Sequence, residues 1–223
     1  PTVLREFNVL VAAAGKALKW KLIRKEDMPE VELPPHERRD DEMAFLTKAE
    51  VRALLNVTAG LADPRLHAFC VLAYACAARR RSIERLTFDQ VDLARQRLFL
   101  QPKGRLQTSK RRAVVPITPS MAHEIKKLQV WTDSDTWLFG SSGVDLRKRF
   151  VAACEAAGID RERSFPHILR HSRATHMLQD GEEIWTVATL LCDTVETVQR
   201  GYGHHCPDYL STRSSFTDLG GVL

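Results

Sequence analysis

The hydrophobic positions near the start of the chain repeat at helical spacing. They recur every three or four residues at Leu4, Phe7, Leu10, Val11, Ala14 and Leu18. This period predicts one amphipathic helix over residues 3–22. The stretch that follows, RKEDMPEVELPPHERRDDE, is charged and rich in proline, and such a composition does not build a packed core. We therefore interpret residues 23–44 as a linker, and residues 1–22 as the end of another domain.

The next apolar segments carry helix starts and strand patterns. Thr47 with Glu50 three residues later has the spacing of a capping box. Asp63 and Pro64 predict a second helix start, with Asp63 as the N-cap and Pro64 as the first helical residue. Three segments that alternate between apolar and polar residues then predict short antiparallel strands. Their sequences are FDQVDL, RLFLQ and RAVVPI.

The second half of the chain has the helical period again. Amphipathic helices are predicted at PSMAHEIKKLQVW, at LRKRFVAACEAAG with Gly158 ending it, and over residues 167–181. Two shorter ones follow at IWTVATLL and TVETVQR. Helices, a small antiparallel sheet and more helices, in that order, predict the α+β fold class.

Composition narrows the class of protein. The chain has 223 residues, 44% of them hydrophobic, and a mean hydropathy of −0.25, which is typical of a protein with a packed core. Its apolar stretches are short of the ~20 residues that span a bilayer, and its start lacks a secretory signal pattern. Five cysteines without a C-x-x-C pair favour reduced thiols and a cytoplasmic location. Since the first residue is not methionine, we expect a fragment of a longer protein.

Charge adds a possible partner. Lys and Arg exceed Asp and Glu by 33 − 28 = 5, and the pI is about 9.1. A modest basic excess is compatible with nucleic acid, although many basic proteins bind nothing anionic.

The segment HILRHSRATHML suggests chemistry on a phosphate. His167, Arg170 and His171 have the i, i+3, i+4 spacing of one helix face. Arginine offers fixed paired donors to a phosphate, and histidine moves a proton near neutral pH. The alternative is a solvated face with one buried histidine.

Three other places have both a functional and a structural interpretation. Arg79–Arg81 follow an apolar helix, where the helix dipole alone would favour cations. Tyr202 lies between two glycines, either as a nucleophile on a movable backbone or as an aromatic plug at a helix end. His204, His205 and Cys206 are candidate metal ligands, but adjacent histidines rarely share one metal.

Three stretches together resemble the tyrosine recombinases, or phage-type integrases. They are ARRRSIERLTFDQVDL, HILRHSRATHMLQDG and TVETVQRGYGHHCPDYL, and the resemblance covers roughly residues 45–215. It implies a mostly helical catalytic domain over residues 45–223 with a small three-stranded antiparallel sheet. Residues 1–22 then resemble the terminal helix of a truncated core-binding domain, and residues 23–44 the interdomain linker.

The resemblance also implies an activity and roles for residues. The family cleaves and rejoins DNA at specific sites through a 3′-phosphotyrosyl intermediate, without cofactor or metal. Tyr202 falls on the nucleophile, and Arg79 and Arg170 on the two arginines that hold the non-bridging phosphate oxygens. His167 falls on the proton-transfer histidine. His171 would support the site from the same helix.

Three positions depart from the family pattern. The hairpin lysine that protonates the leaving 5′-oxygen is either Lys103, counting from the first arginine, or Lys110, counting back from VVP. We prefer Lys110, because a residue at the hairpin tip reaches the phosphate better; the alternative is that Gln107 occupies the usual lysine position. Ser82 stands where a glutamate usually supports that arginine. Asp193 replaces a second histidine, and an ionised acid repels phosphate. Alternatively, Asp193 with Glu196 forms a helix capping box.

Partners follow from the same resemblance. We expect double-stranded DNA, a monomer in solution and a homo-tetramer on DNA, without a membrane. The expected DNA contacts are Arg80, Arg81, Arg105, Arg111, Arg147 and His171. The alternatives are a catalytically impaired DNA-binding relative, or a metal-binding or interaction domain that uses the C-terminal His/Cys cluster.

Overall fold

The computed structural model describes residues 2–28, 43–102, 113–140 and 146–203 of the chain. The chain divides into two compact units, Pro1–Asp41 and Glu42–Leu223. In the first unit, helix α1 spans Thr2–Lys19, and a single 3-10 turn follows at Lys25–Asp27. The predicted helix therefore exists and is three residues shorter at its C-terminal end.

The second unit is mostly helical with a small antiparallel sheet, which confirms the α+β fold class and the helical domain that the family resemblance implies. Its helices are α2 Lys48–Ala59, α3 Arg65–Cys76, α4 Arg80–Glu84, α5 Pro119–Trp131, α6 Leu146–Ala156, α7 Ile168–Gln179, α8 Ile184–Leu191 and α9 Val195–Tyr202. Its strands are β1 Val91–Asp92, β2 Arg97–Phe99 and β3 Val114–Pro116. None of the helices within the described ranges has both the length and the apolar character needed to span a membrane.

The small sheet forms where the alternating pattern predicts it. The described strands pair antiparallel in the order β1-β2-β3, with Leu98 opposite both Val91 and Val115. Leu98 and Val115 are buried, which fixes the register, because a slip of one residue would turn both toward solvent. The first predicted strand begins late, since Phe88–Gln90 forms a 3-10 turn.

Helix α3 is the centre of the core. Most apolar residues in it are buried, including Leu66, Phe69 and Leu72, and it packs against α2, α5 and α7. A helix that is apolar around its whole circumference is stable only when surrounded by other elements. The residues that follow α3 therefore start from the end of a buried element.

The two predicted helix starts differ in outcome. Thr47 accepts a hydrogen bond from the Glu50 amide, and the Glu50 carboxylate accepts from the Thr47 amide, so the capping box is confirmed. At the second start, α3 begins at Arg65 and Pro64 is the N-cap, one residue later than predicted. Asp63 still accepts from the Arg65 amide at 2.9 Å, because Pro64 already has helical dihedral angles.

Asp63 also joins α3 to α6 through two arginines. Arg65 Nη2 lies 2.7 Å from Asp63 Oδ2, and Arg149 Nη1 lies 2.5 Å from the same oxygen. Burial alone would raise the pKa of Asp63, but the hydrogen bonds from Arg65 and Arg149 outweigh it and lower that pKa to about 2.

We predict that Asp63→Asn lowers the free energy of unfolding by about 1–2 kcal/mol at pH 7. A carboxyl whose pKa is depressed by folding stabilises the folded state above its unfolded pKa. That contribution disappears as the pH falls through the folded pKa. The difference between wild type and variant, measured by urea unfolding, should therefore narrow between about pH 4 and pH 2. A difference independent of pH would mean that Asp63 acts only as a neutral helix cap.

Candidate active site

A left-handed turn at the end of α3 places the first arginine. Ala77 has φ 47°, a conformation that costs a non-glycine residue on the order of 1 kcal/mol. The chain leaves this turn extended at Arg79, which is the N-cap of α4. Arg80 and Arg81 therefore lie at the start of α4. The helix-dipole explanation for this arginine cluster is wrong, because the cations are not in the last turn of α3.

The guanidinium of Arg170 is deeply buried. It lies in the first turn of α7, and its side chain is 6% exposed. Its guanidinium donates to the carbonyl oxygens of Ala77 at 2.7 Å and Leu191 at 2.9 Å. Burial, followed by the charge of Arg79, lowers the pKa of Arg170, and Asp193 opposes the shift. The group remains a cation at neutral pH, since even a lowered arginine pKa lies far above 7.

Asp193 bridges the two arginines. Its Oδ2 accepts from Arg170 Nη2 at 2.5 Å, and its Oδ1 lies 3.5 Å from Arg79 Nη2. The carboxylate thus occupies the region between the guanidiniums, where both could hold the oxygens of one anion. The capping-box alternative for Asp193 is wrong, because Thr194 is the N-cap of α9 and accepts from the Thr197 amide.

His167 stands at the edge of this charged group. It is the N-cap residue of α7 and is half-buried. Burial, then Arg170 and Arg79, lower the pKa of His167, while Asp193 raises it. The imidazole is therefore neutral at pH 7 and can accept a proton. Its ring meets His171 edge to face, with centroids 4.7 Å apart.

Tyr202 and His171 form a direct pair between α9 and α7. The Tyr202 hydroxyl lies 2.8 Å from His171 Nδ1. Tyr202 is 6% exposed and belongs to the last turn of α9, which runs two residues beyond the predicted end at Arg200. Burial raises the pKa of Tyr202 to about 12, with Arg170 opposing and Asp193 reinforcing the shift. The hydroxyl is thus protonated at neutral pH.

The structure brings most of the candidate residues together. Asp193 links Arg79 to Arg170, and His171 links His167 to Tyr202, with Arg170 and Asp193 within electrostatic range of the hydroxyl. The candidate lysines and two of the candidate DNA-binding arginines lie outside the described residues: Lys103, Lys110, Arg105 and Arg111. The His/Cys cluster also lies outside them.

The other expected DNA contacts are spread more widely. Arg80 lies 3.6 Å from Glu84 on the same helix. Arg81 is exposed and lines a groove with Trp137. Arg147 is exposed near the start of α6. His171 Nδ1 lies 2.8 Å from the Tyr202 hydroxyl, so this histidine contacts the candidate nucleophile.

Sequence reasoning missed the backbone acceptors. The carbonyl oxygens of Ala77 and Leu191 complete the environment of Arg170, and no side-chain pattern marks a carbonyl group. Cys192 at φ 51° was also missed, although this left-handed residue turns the chain between α8 and α9 and so aims Asp193. Ser82 lines the small cleft beside Arg79 and Arg170.

Comparisons with known proteins identify the family of this chain. Residues 44–206 match the model of the phage integrase family. The tyrosine recombinase XerD of Pseudomonas putida is 30% identical over 169 residues, which cover 71% of this chain and 56% of that protein. XerD of Caulobacter vibrioides is 29% identical over 157 residues, covering 64% of this chain and 50% of that protein. The chain thus spans about half the length of these relatives.

The fold also matches solved structures. The catalytic domain of the bacteriophage HP1 integrase superposes with a TM-score of 0.61 at 24% identity, covering 82% of this chain and 99% of that domain. The second unit therefore has the fold of that catalytic domain.

Proposed function

We propose that this chain, which belongs to the phage integrase family, cleaves and rejoins DNA strands at specific sites through a 3′-phosphotyrosyl intermediate. The observation that carries the proposal is the convergence of a paired-arginine anion site with a buried tyrosine hydroxyl that touches a neutral histidine. Two guanidiniums and a phenol are the groups that a metal-free phosphoryl transfer needs.

The geometry supports a role for each group. Tyr202 Oη would attack phosphorus, and the bond to the 5′-oxygen would break. Negative charge then grows on the non-bridging oxygens, where Arg79 and Arg170 supply donors that are already in place. The covalent intermediate conserves the energy of the phosphodiester bond, so the 5′-hydroxyl can later reverse the step without ATP. His167 or His171 would accept the phenolic proton, because both imidazoles are neutral at pH 7.

The proposed partner is double-stranded DNA. The net charge of +5 and the exposed arginines at the start of α4 and α6 support it. We further propose a monomer in solution that assembles as a tetramer on DNA. Within the chain, residues 1–22 would end a truncated core-binding domain, residues 23–44 would link it, and residues 45–223 would form the catalytic domain. The family match from residue 44 supports this division.

A second candidate is a catalytically impaired DNA-binding relative. The observation that favours it is Asp193 itself, because its carboxylate already holds both arginines. Ser82 adds to the case, since a hydroxyl cannot replace the carboxylate that the family resemblance places next to the first arginine.

We predict that Tyr202→Phe abolishes covalent attachment to DNA and leaves DNA binding nearly unchanged. The hydroxyl oxygen forms the bond, while the ring supplies the packing. Arg170→Ala should also abolish cleavage, because the transition state loses a charged donor. Covalent trapping on a nicked suicide duplex measures both effects. If the Tyr202→Phe protein still becomes attached, another residue is the nucleophile.

We predict that DNA affinity depends steeply on salt. Neutralising about six phosphates would lower the affinity roughly a thousandfold between about 50 and 200 mM salt. Arg81→Gln should reduce the slope of log affinity against log salt by about one. Fluorescence anisotropy with a labelled duplex gives both values, and binding that is insensitive to salt contradicts the proposal.

We predict that Asp193→Asn raises the rate of single-turnover cleavage and that Asp193→His raises it further. A carboxylate about 5 Å from a phosphate repels it by about 3 kcal/mol at an effective dielectric of about 20. Relief of that repulsion in the transition state corresponds to roughly a hundredfold in rate. Histidine adds a donor that asparagine does not place as well.

Thr194→Ala is the matched control for the Asp193 variants. It removes the helix cap, at about 1 kcal/mol of stability, and leaves the carboxylate in place. Its cleavage rate should stay at the wild-type value. Asp193 variants that are unchanged or slower would show that the carboxylate positions the arginines and does not oppose the phosphate.

A further inference from the structure

We infer that His171 is the base that removes the proton from Tyr202 during attack on the phosphate, an assignment that rests on the proposed function. The contact that points to it is the 2.8 Å separation between His171 Nδ1 and the Tyr202 hydroxyl oxygen. His167, which the family resemblance assigns to proton transfer, meets the edge of the His171 ring with centroids 4.7 Å apart. His171 thus lies between His167 and the nucleophile.

The protonation states suit this direction of transfer. Burial, followed by the charges of His167 and Arg170, lowers the pKa of His171 to about 4. The tyrosine hydroxyl keeps its proton at neutral pH because its pKa is raised to about 12. The inference requires the tautomer in which Nε2 carries the hydrogen and Nδ1 accepts from the phenol. In that tautomer the resting site already holds the arrangement from which the proton leaves.

The residues around His171 explain why the Tyr202 proton is transferred only when the substrate is bound. His167 and Arg170 face it from α7, the Phe165 ring from the preceding turn, and Tyr202 from α9. Without an anion, these neighbours disfavour an imidazolium. A bound phosphate brings negative charge to the arginine pair, which favours the protonated histidine. Formation of the bond to phosphorus also makes the phenolic proton acidic, so transfer and attack occur together.

The step balances in both directions. The phenolic proton moves from Oη to Nδ1 of His171 while the Oη–P bond forms. The bond from phosphorus to the 5′-oxygen breaks, and that oxygen keeps the electron pair and takes a proton from a separate acid, either a lysine or water. In rejoining, the 5′-hydroxyl attacks phosphorus and gives its proton back to the conjugate base of that acid. The bond from phosphorus to the tyrosyl oxygen breaks, and His171 returns its proton to the tyrosyl oxygen.

The packing between α7 and α9 maintains the contact. Ala174, Met177 and Leu178 of α7 and Val198 of α9 belong to one buried cluster with Tyr202. The histidine and the tyrosine therefore remain aligned without help from solvent.

The same helix offers a matched control pair. His176 Nδ1 lies 2.8 Å from the Tyr74 hydroxyl, the same separation as between His171 and Tyr202. Tyr74 lines a groove with residues of α2, α3, α5 and α7, and none of the candidate catalytic residues is among its described lining. His176→Asn therefore removes a histidine from an equivalent contact that has no place in the chemistry. This variant measures how much the loss of a His–Tyr contact affects folding when no catalytic residue is involved.

The experiment measures single-turnover cleavage of a nicked suicide duplex by His171→Asn, His171→Ala, His167→Asn and His176→Asn proteins. His171→Asn keeps an acceptor near the Nδ1 position but cannot take a proton. We expect both His171 variants to cleave at least about a hundredfold more slowly and His176→Asn to cleave at the wild-type rate. A 5′-bridging phosphorothiolate, whose sulfur leaves without a proton, should not rescue the His171 variants, whereas it would rescue loss of an acid.

The pH profile separates a base from a positioning residue. Wild-type cleavage should be level between about pH 6 and pH 9, because His171 is neutral throughout. In His171→Asn, the rate should rise about tenfold per pH unit, because attack then requires the ionised phenol. A His171→Asn protein with wild-type rate and profile would overturn the inference. The same slope in His167→Asn alone would transfer the role to His167.

Two measurements on proteins that keep all their histidines complete the test: the tautomer of His171 and covalent trapping on DNA. Nitrogen-15 spectra of labelled wild-type protein at pH 7 should show His171 with hydrogen on Nε2, and hydrogen on Nδ1 would overturn the inference even if the variants do not fold. Failure of the wild type to form any covalent complex, or trapping by Tyr202→Phe, would instead refute the proposed function.

Discussion

The site depends on the buried guanidinium of Arg170. An arginine with 6% side-chain exposure is stable only when its donors are satisfied, because an unpaired buried cation is strongly destabilising. Its partners are the Ala77 and Leu191 carbonyls and the Asp193 carboxylate. These groups lie after α3, at the end of α8 and before α9. One side chain therefore holds together the three chain segments that carry the other functional residues.

The positions of most elements follow from local sequence, and for that reason they were predictable. PSMAHEIKKLQVW is helical over its whole length as α5, where Thr118 caps the start and proline occupies the first turn. Gly158 and Gly181 have φ of 74° and 82° just beyond α6 and α7, as expected of helix terminators. Spacing on one helix face likewise groups His167, Arg170 and His171 from the sequence alone.

The contacts of Asp193 could not be predicted in this way. Its partners are 114 and 23 residues away along the chain, whereas the capping-box alternative needed only the next three residues. The left-handed Cys192 turns the chain so that Asp193 comes one residue before Thr194, the N-cap of α9. Two guanidinium charges then attract the carboxylate more strongly than the partial charge of a helix terminus. Thr194 caps α9 instead, with a neutral hydroxyl that costs little to desolvate.

In the structure, the polar groups of the arginine pair and of the Tyr202–His171 pair already have partners within the site. The arginine pair holds a carboxylate, and the tyrosine hydroxyl is buried against a neutral histidine. A phosphate entering the site must therefore displace Asp193, and it can do so because it offers more acceptor oxygens to the same donors. Arg170 keeps its two carbonyl partners during this exchange, so the fold need not open. The partly exposed Asp193 can turn to water, and its departure restores a strong positive field beside Tyr202. Binding of the anion and activation of Tyr202 are thus coupled through the charges of Asp193 and Arg170.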